Sequence, residues 1–176
     1  MSSIKELMFL ATKEKGEVSA LLNLPSDAHS LLVLGHGASS NNRHRLVTEV
    51  SEKMVEEGVA TFRYNFPYSE KGGGRNSNAT LYESIRSAVQ TAAGEAGNLP
   101  VFAGGHSMSG RMTSMTASES PIPEVKGLVF LAFPLHPSGK RGTDRAEHLA
   151  DVTVPMLFLS GTRDKLADLD LLEPVC

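Results

Sequence analysis

The sequence predicts an α/β fold, a three-layer α/β/α sandwich built on a mostly parallel sheet. Short apolar runs rich in Val, Leu and Phe recur along the chain without polar alternation, as expected of strands covered on both faces. Between them lie amphipathic stretches with helical spacing, the alternation that marks a sheet wrapped by helices. With 176 residues, 40% hydrophobic and 21% charged, the chain suits a single domain, residues 1–176, with a sizeable core.

Residues 4–12 and 17–24 read as an N-terminal hairpin turned at Glu14, Lys15 and Gly16, and residues 31–34 as the first fully buried strand. A helix over 45–57 places Leu46, Val47, Val50, Met54 and Val55 near one face and stops at Gly58, and a strand over 59–65 follows. The remaining elements are a helix over 81–96, a strand over 101–105 opened by Pro100, a helix over 109–118, and strands over 127–133 and 155–160. Residues 67–78 and 136–151 lack periodicity and read as loops. Gly72, Gly73 and Gly74 do not make a phosphate loop, because neither the preceding strand nor the closing Gly-Lys-Ser/Thr is present.

The net charge of −3 and pI near 6.1 argue against nucleic acid or an anionic membrane as partner, leaving a small-molecule substrate. The apolar run 7–11 ends at Lys13, Glu14 and Lys15, too soon for a secretory signal, and no other run is long enough to span a bilayer. The only cysteine is Cys176, so no internal disulfide forms and the soft metal ligands are missing. These features predict a cytoplasmic protein with no metal and no organic cofactor.

The sharpest chemical signal is residues 101–110, VFAGGHSMSG, a buried strand that runs straight into a helix with Ser107 at the corner. In such a nucleophile elbow the residues two before and two after the serine must be small, because helix packs directly on strand; here they are Gly105 and Ser109. Ser109 is a rival nucleophile, but at the same spacing it is followed by Arg111, too bulky for that corner. An ordinary N-cap serine is the alternative reading of Ser107.

A serine hydroxyl is a weak nucleophile, so acyl transfer needs preorganised amides around the developing oxyanion. The amide after the serine, Met108, is one; the other is expected from the loop after the third strand, Gly35-His36-Gly37-Ala38-Ser39, at Ala38. Gly37 lets that backbone approach a carbonyl, and His36 reads as a residue that orients the loop. The same Gly-x-Gly is half a dinucleotide fingerprint, but Ser40 stands at the third glycine position. Asp164 follows the last apolar strand, where the acid of a serine, acid, histidine series belongs; a helix N-cap is its other reading, and Asp168 and Asp170 are weaker candidates.

Together with TFRYNFPY (61–68), FLAFPLHP (130–137) and LSGTRD (159–164), these segments resemble the small, lidless, dienelactone-hydrolase-like branch of the α/β-hydrolases over essentially the whole chain. The resemblance implies an α/β-hydrolase fold with Ser107 as nucleophile and Asp164 as acid. Members of that family continue with a further strand, a histidine-bearing loop and a final helix, so this chain is expected to lack the last strand and helix. All six histidines, at 29, 36, 44, 106, 136 and 148, precede Asp164. Among them His136 is the one substitute base to consider, whereas His106 is expected to point away from the serine.

Two functions follow from this reading. One is a serine hydrolase of small carboxylic ester, thioester or lactone-like substrates through an acyl-enzyme on Ser107. The other is a non-catalytic binding or scaffold protein that keeps the pocket without a base. Arg43, Arg63, Lys71, Arg75 and Arg111 are available to recognise a carboxylate, and the open edge at 156–160 invites a homodimer.

Overall fold

The computed structural model describes residues 4–176. Seven strands form one sheet in the order β1-β2-β4-β3-β5-β6-β7: β1 (Ile4–Thr12), β2 (Gly16–Asn23), β3 (Ser30–Gly35), β4 (Val59–Tyr64), β5 (Val101–His106), β6 (Val125–Leu131) and β7 (Met156–Leu159). β2 runs antiparallel to both β1 and β4; β4, β3, β5, β6 and β7 pair in parallel, as the unbroken apolar runs require.

Strand side chains alternate between two cores. Leu31 and Val33 join the larger one with Ile85, Val89, Met112 and Phe130, beneath α3 (Asn78–Ala96) and α4 (Met108–Glu119). Leu32 and Leu34 join the smaller one with Val47 of α1 (Arg45–Glu56) on the opposite face. The three layers expected from the sequence are therefore present. At the sheet's end, β7 pairs only with β6 among the described residues; Met156 and Phe158 pack inward while Leu157 and Leu159 are exposed.

The two segments read as loops both hold structure. Residues 67–78 begin with a short helix, α2 (Pro67–Lys71), whose first position is occupied by proline. Helix α3 starts at Asn78, three residues earlier than its apolar spacing indicated, because Ser77 caps it by accepting from the Thr80 N–H at 3.3 Å. Residues 144–151 form a 3₁₀ helix, Asp144–Asp151, which buries Ala146 and Leu149. A last short helix, α5 (Leu169–Leu172), is preceded by Asp168 and not by Asp164.

The strand order reverses between β3 and its two neighbours, β4 on one side and β5 on the other. In parallel sheets the crevice beyond the strand carboxyl ends at such a reversal is where ligands bind. Gly35 and Gly105 are paired there, at the ends of β3 and β5, so the two loops that carry Ala38 and Ser107 emerge side by side.

Candidate active site

Ser107 occupies the corner between β5 and α4 with φ 52° and ψ −109°, a left-handed conformation that non-glycine residues rarely adopt. Its amide donates to the Leu131 carbonyl at 2.8 Å, which ties the corner to the end of β6. Although it precedes the helix, its side chain makes no capping hydrogen bond, so the ordinary N-cap reading fails.

The small-residue rule has a direct steric origin. A Cβ at Gly105 would stand 2.3 Å from Ser109 Oγ and 2.4 Å from the Gly35 carbonyl, and one at Gly35 would stand 2.5 Å from Ser109 Cβ. Ser109 is fully buried in this contact and donates to the His106 carbonyl at 3.1 Å. It is excluded as nucleophile by its own burial, a stronger reason than the bulk of Arg111.

Ala38, Ser107 and Met108 line one cavity of about 310 Å³, so the hydroxyl and both proposed oxyanion residues meet in one place. Met108 is the first residue of α4, and its amide belongs to the turn that lacks intrahelical acceptors and carries the positive end of the helix dipole. Pro134 and Leu166 add apolar wall, and Arg75, Arg111 and Arg145 add positive charge. A second recess of about 470 Å³ shares Ala38 and Arg75 with the first and is bordered by Ser39, Ser40, Tyr68 and Ser69.

His36 is buried, edge-on to Phe66 and Tyr68. Its Nδ1–H donates to the Gly37 carbonyl at 2.8 Å and its Nε2 accepts from the Phe66 N–H at 3.4 Å, which fixes the neutral tautomer and steadies the loop that carries Ala38. Burial, opposed in part by the Gly37 bond, pushes its pKa down to about 4. Between pH 6.5 and 4 the unfolded chain binds a proton at this position that the folded chain refuses, so stability is lost as pH falls through that window. The loss expected from this one group is about 3 kcal/mol. In urea titrations at a series of pH values, His36→Gln, which keeps one donor and one acceptor, flattens the slope; an unchanged slope would show that the ring is not the titrating group.

Asp164 lies in the turn after β7 and does not cap a helix. Its Oδ1 accepts from the Leu166 N–H at 2.9 Å, so it shapes the turn that brings Leu166 to the cavity wall. No histidine lines that cavity among the described residues. His106 packs its ring against Gly37, where burial and the nearby His44 lower its pKa and the Asp164 charge opposes them. The His136 ring is buried, with Nδ1 near the Pro137 carbonyl at 3.0 Å and Nε2 3.8 Å from Asp168, so it faces an acid and not the serine. His148 bonds Ser114 Oγ at 2.8 Å, His44 caps α1, and His29 bonds the Glu57 carbonyl.

Of the five cationic residues considered from the sequence, only Arg75 and Arg111 reach the cavity. Arg63 is buried elsewhere on Asn42 and Thr48, Arg43 pairs with Glu6, and Lys71 bonds the Lys15 carbonyl. Arg145 was not anticipated; it lies in the 3₁₀ segment, and its local sequence carries no signal of that placement.

A family model described as an alpha/beta hydrolase domain matches residues 28–175. The chain belongs to the α/β-hydrolase domain family. Solved structures carry the same fold at low identity. An alpha-beta serine hydrolase homologue from Coxiella burnetii superposes with TM-score 0.76 at 16% identity, covering 99% of this chain and 81% of that one. A dienelactone hydrolase from Anabaena variabilis gives TM-score 0.67 at 16% identity over 98% of this chain and 93% of that one. A lidless α/β serine hydrolase from Xanthomonas campestris gives 0.74 at 16% over 99% and 78%. Among the described residues of this α/β-hydrolase domain, no helix is long and apolar enough to cross a membrane.

Proposed function

We propose that this α/β-hydrolase domain is a serine hydrolase of small ester, thioester or lactone-like substrates. The observation that carries the proposal is Ser107: a strained corner lifts its hydroxyl, free of any capping bond, into a cavity it shares with Ala38 and Met108. Ser107 Oγ attacks the substrate carbonyl carbon, and the carbonyl electron pair moves onto oxygen, held by the Met108 and Ala38 amides. The serine proton must pass to a base and from it to the departing alcohol or thiol, leaving an acyl-enzyme that water hydrolyses to the acid. Among the described residues no histidine lines the cavity to serve as that base, and Asp164 is the acid proposed to orient one.

The second reading is a binding protein that uses the pocket without turnover, favoured by a cavity that no histidine lines among the described residues. A fluorophosphonate probe separates the two in the full-length gene product. The expected result is one adduct, mapped to Ser107 by peptide mass and absent from Ser107→Ala. Labelling that persists in the variant, or no labelling of the folded full-length protein, rejects the hydrolase in favour of the binding role.

A further inference from the structure

Three arginines from distant parts of the chain converge on the Ser107 cavity. Arg75 comes from the loop before α3, Arg111 from the first turn of α4, and Arg145 from the 3₁₀ segment. None forms an ion pair among the described residues, whereas Lys5, Arg43, Arg45, Lys53 and Arg141 each pair with a carboxylate at the surface.

Their neighbours hold two of them in place without neutralising them. Arg75 donates to Asn78 Oδ1 at 2.9 Å and lies 3.2 Å from Met112 Sδ; Arg145 donates to the His136 carbonyl at 3.2 Å. Arg111 is half-buried, and its Nε is buried without an acceptor. Burial lowers the Arg111 pKa, the Arg145 and Arg75 charges lower it further, and Tyr82 opposes them, so Arg111 lies close enough to each of the other two cations to feel its charge. Charged donors gathered in this way call for an anion that joins them.

We propose that Arg75, Arg111 and Arg145 form the recognition site for a compact dianion, a phosphate monoester carried by the substrate. A carboxylate offers two oxygens and one charge, which a single guanidinium fork can satisfy. A phosphate monoester offers three oxygens and a charge of about −1.5 to −2, which matches three forks from three directions. Met108, Met112, Pro134 and Leu166 supply apolar wall for the carbon chain between the phosphate and the reacting carbonyl. The assignment of that carbonyl to Ser107 rests on the proposed hydrolase function; the anion site itself is measured without turnover.

Calorimetric titration of the full-length protein with inorganic phosphate, at ionic strength held constant with chloride, tests the site. Phosphate is expected to bind at least about tenfold more tightly than acetate, and Arg75→Gln and Arg145→Gln each to weaken it by about tenfold. Arg141→Gln, which lies outside the cavity and pairs with Asp168 and Asp170, is expected to leave phosphate affinity unchanged. Arg75 is exposed, so its replacement does not threaten the fold. Acetate or malonate matching phosphate, or equal weakening by Arg141→Gln, would overturn the assignment. A protein that binds phosphate but ignores fluorophosphonate keeps this site and removes the serine hydrolase; the reverse result removes only the phosphate site.

Discussion

Gly105→Ala is expected to lower the stability of the domain by about 4 kcal/mol, a large part of what a domain of this size possesses. The added methyl would meet Ser109 Oγ at 2.3 Å, the Gly35 carbonyl at 2.4 Å and the Gly35 nitrogen at 2.8 Å. Two of these atoms are backbone of the paired strand β3 and can retreat only by opening the β3–β5 ladder. The residue also has φ 149°, which side chains rarely adopt, so backbone strain of about 1–3 kcal/mol adds to overpacking of similar size. At about 2–4 °C per kcal/mol, the melting temperature falls by roughly 10 °C. Gly94→Ala is the control: nothing lies within 4 Å of its added methyl, and it sits within helix α3, where alanine is favoured by about 1 kcal/mol. Calorimetric scans in which both variants melt alike would show that strand and helix do not pack directly at the corner.

The same contact explains why the corner was legible in the sequence. A strand that turns directly into a packed helix leaves a local trace, Gly105 and Ser109 flanking the serine by two, and no distant residue is needed to recognise it. The buried strands were legible for a related reason: Leu31 to Leu34 alternate between two cores, so every position must be apolar. The first turn of α3 was missed because Asn78, Ala79 and Thr80 contribute no apolar stripe, although Ser77 carries the capping signal. Ala132 has φ 54° just past β6, yet alanine gives no hint of a left-handed residue. Arg145 was missed because what gives it meaning, Arg75 and Arg111 in the same cavity, lies 70 and 34 positions away by the numbering. Local steric rules can be read along a chain; a meeting of charges brought together by topology cannot.

The 176-residue chain is expected to hydrolyse p-nitrophenyl acetate only on the order of 10³ to 10⁴ above water, and added imidazole is expected to raise that rate. The argument is geometric. The cavity is lined by Ser107 and by Ala38 and Met108, the proposed oxyanion donors, but among the described residues no histidine lines it. A triad without its imidazole loses on the order of 10⁶ in turnover, while binding and oxyanion stabilisation survive. Free imidazole can enter an open cavity of about 310 Å³ and accept the Ser107 proton. The stimulated rate therefore saturates with imidazole and climbs with pH through about 6.5, as the added base loses its proton. Ser107→Ala removes both the residual and the stimulated rate, which separates this chemistry from attack by imidazole in bulk solvent. A high rate without imidazole that disappears in His136→Asn or His106→Asn would mean that one of these rings swings from its packed position to the serine. In that case the base belongs to the chain, and the contacts of His136 with Asp168, or of His106 with Gly37, describe a resting arrangement and not the reacting one.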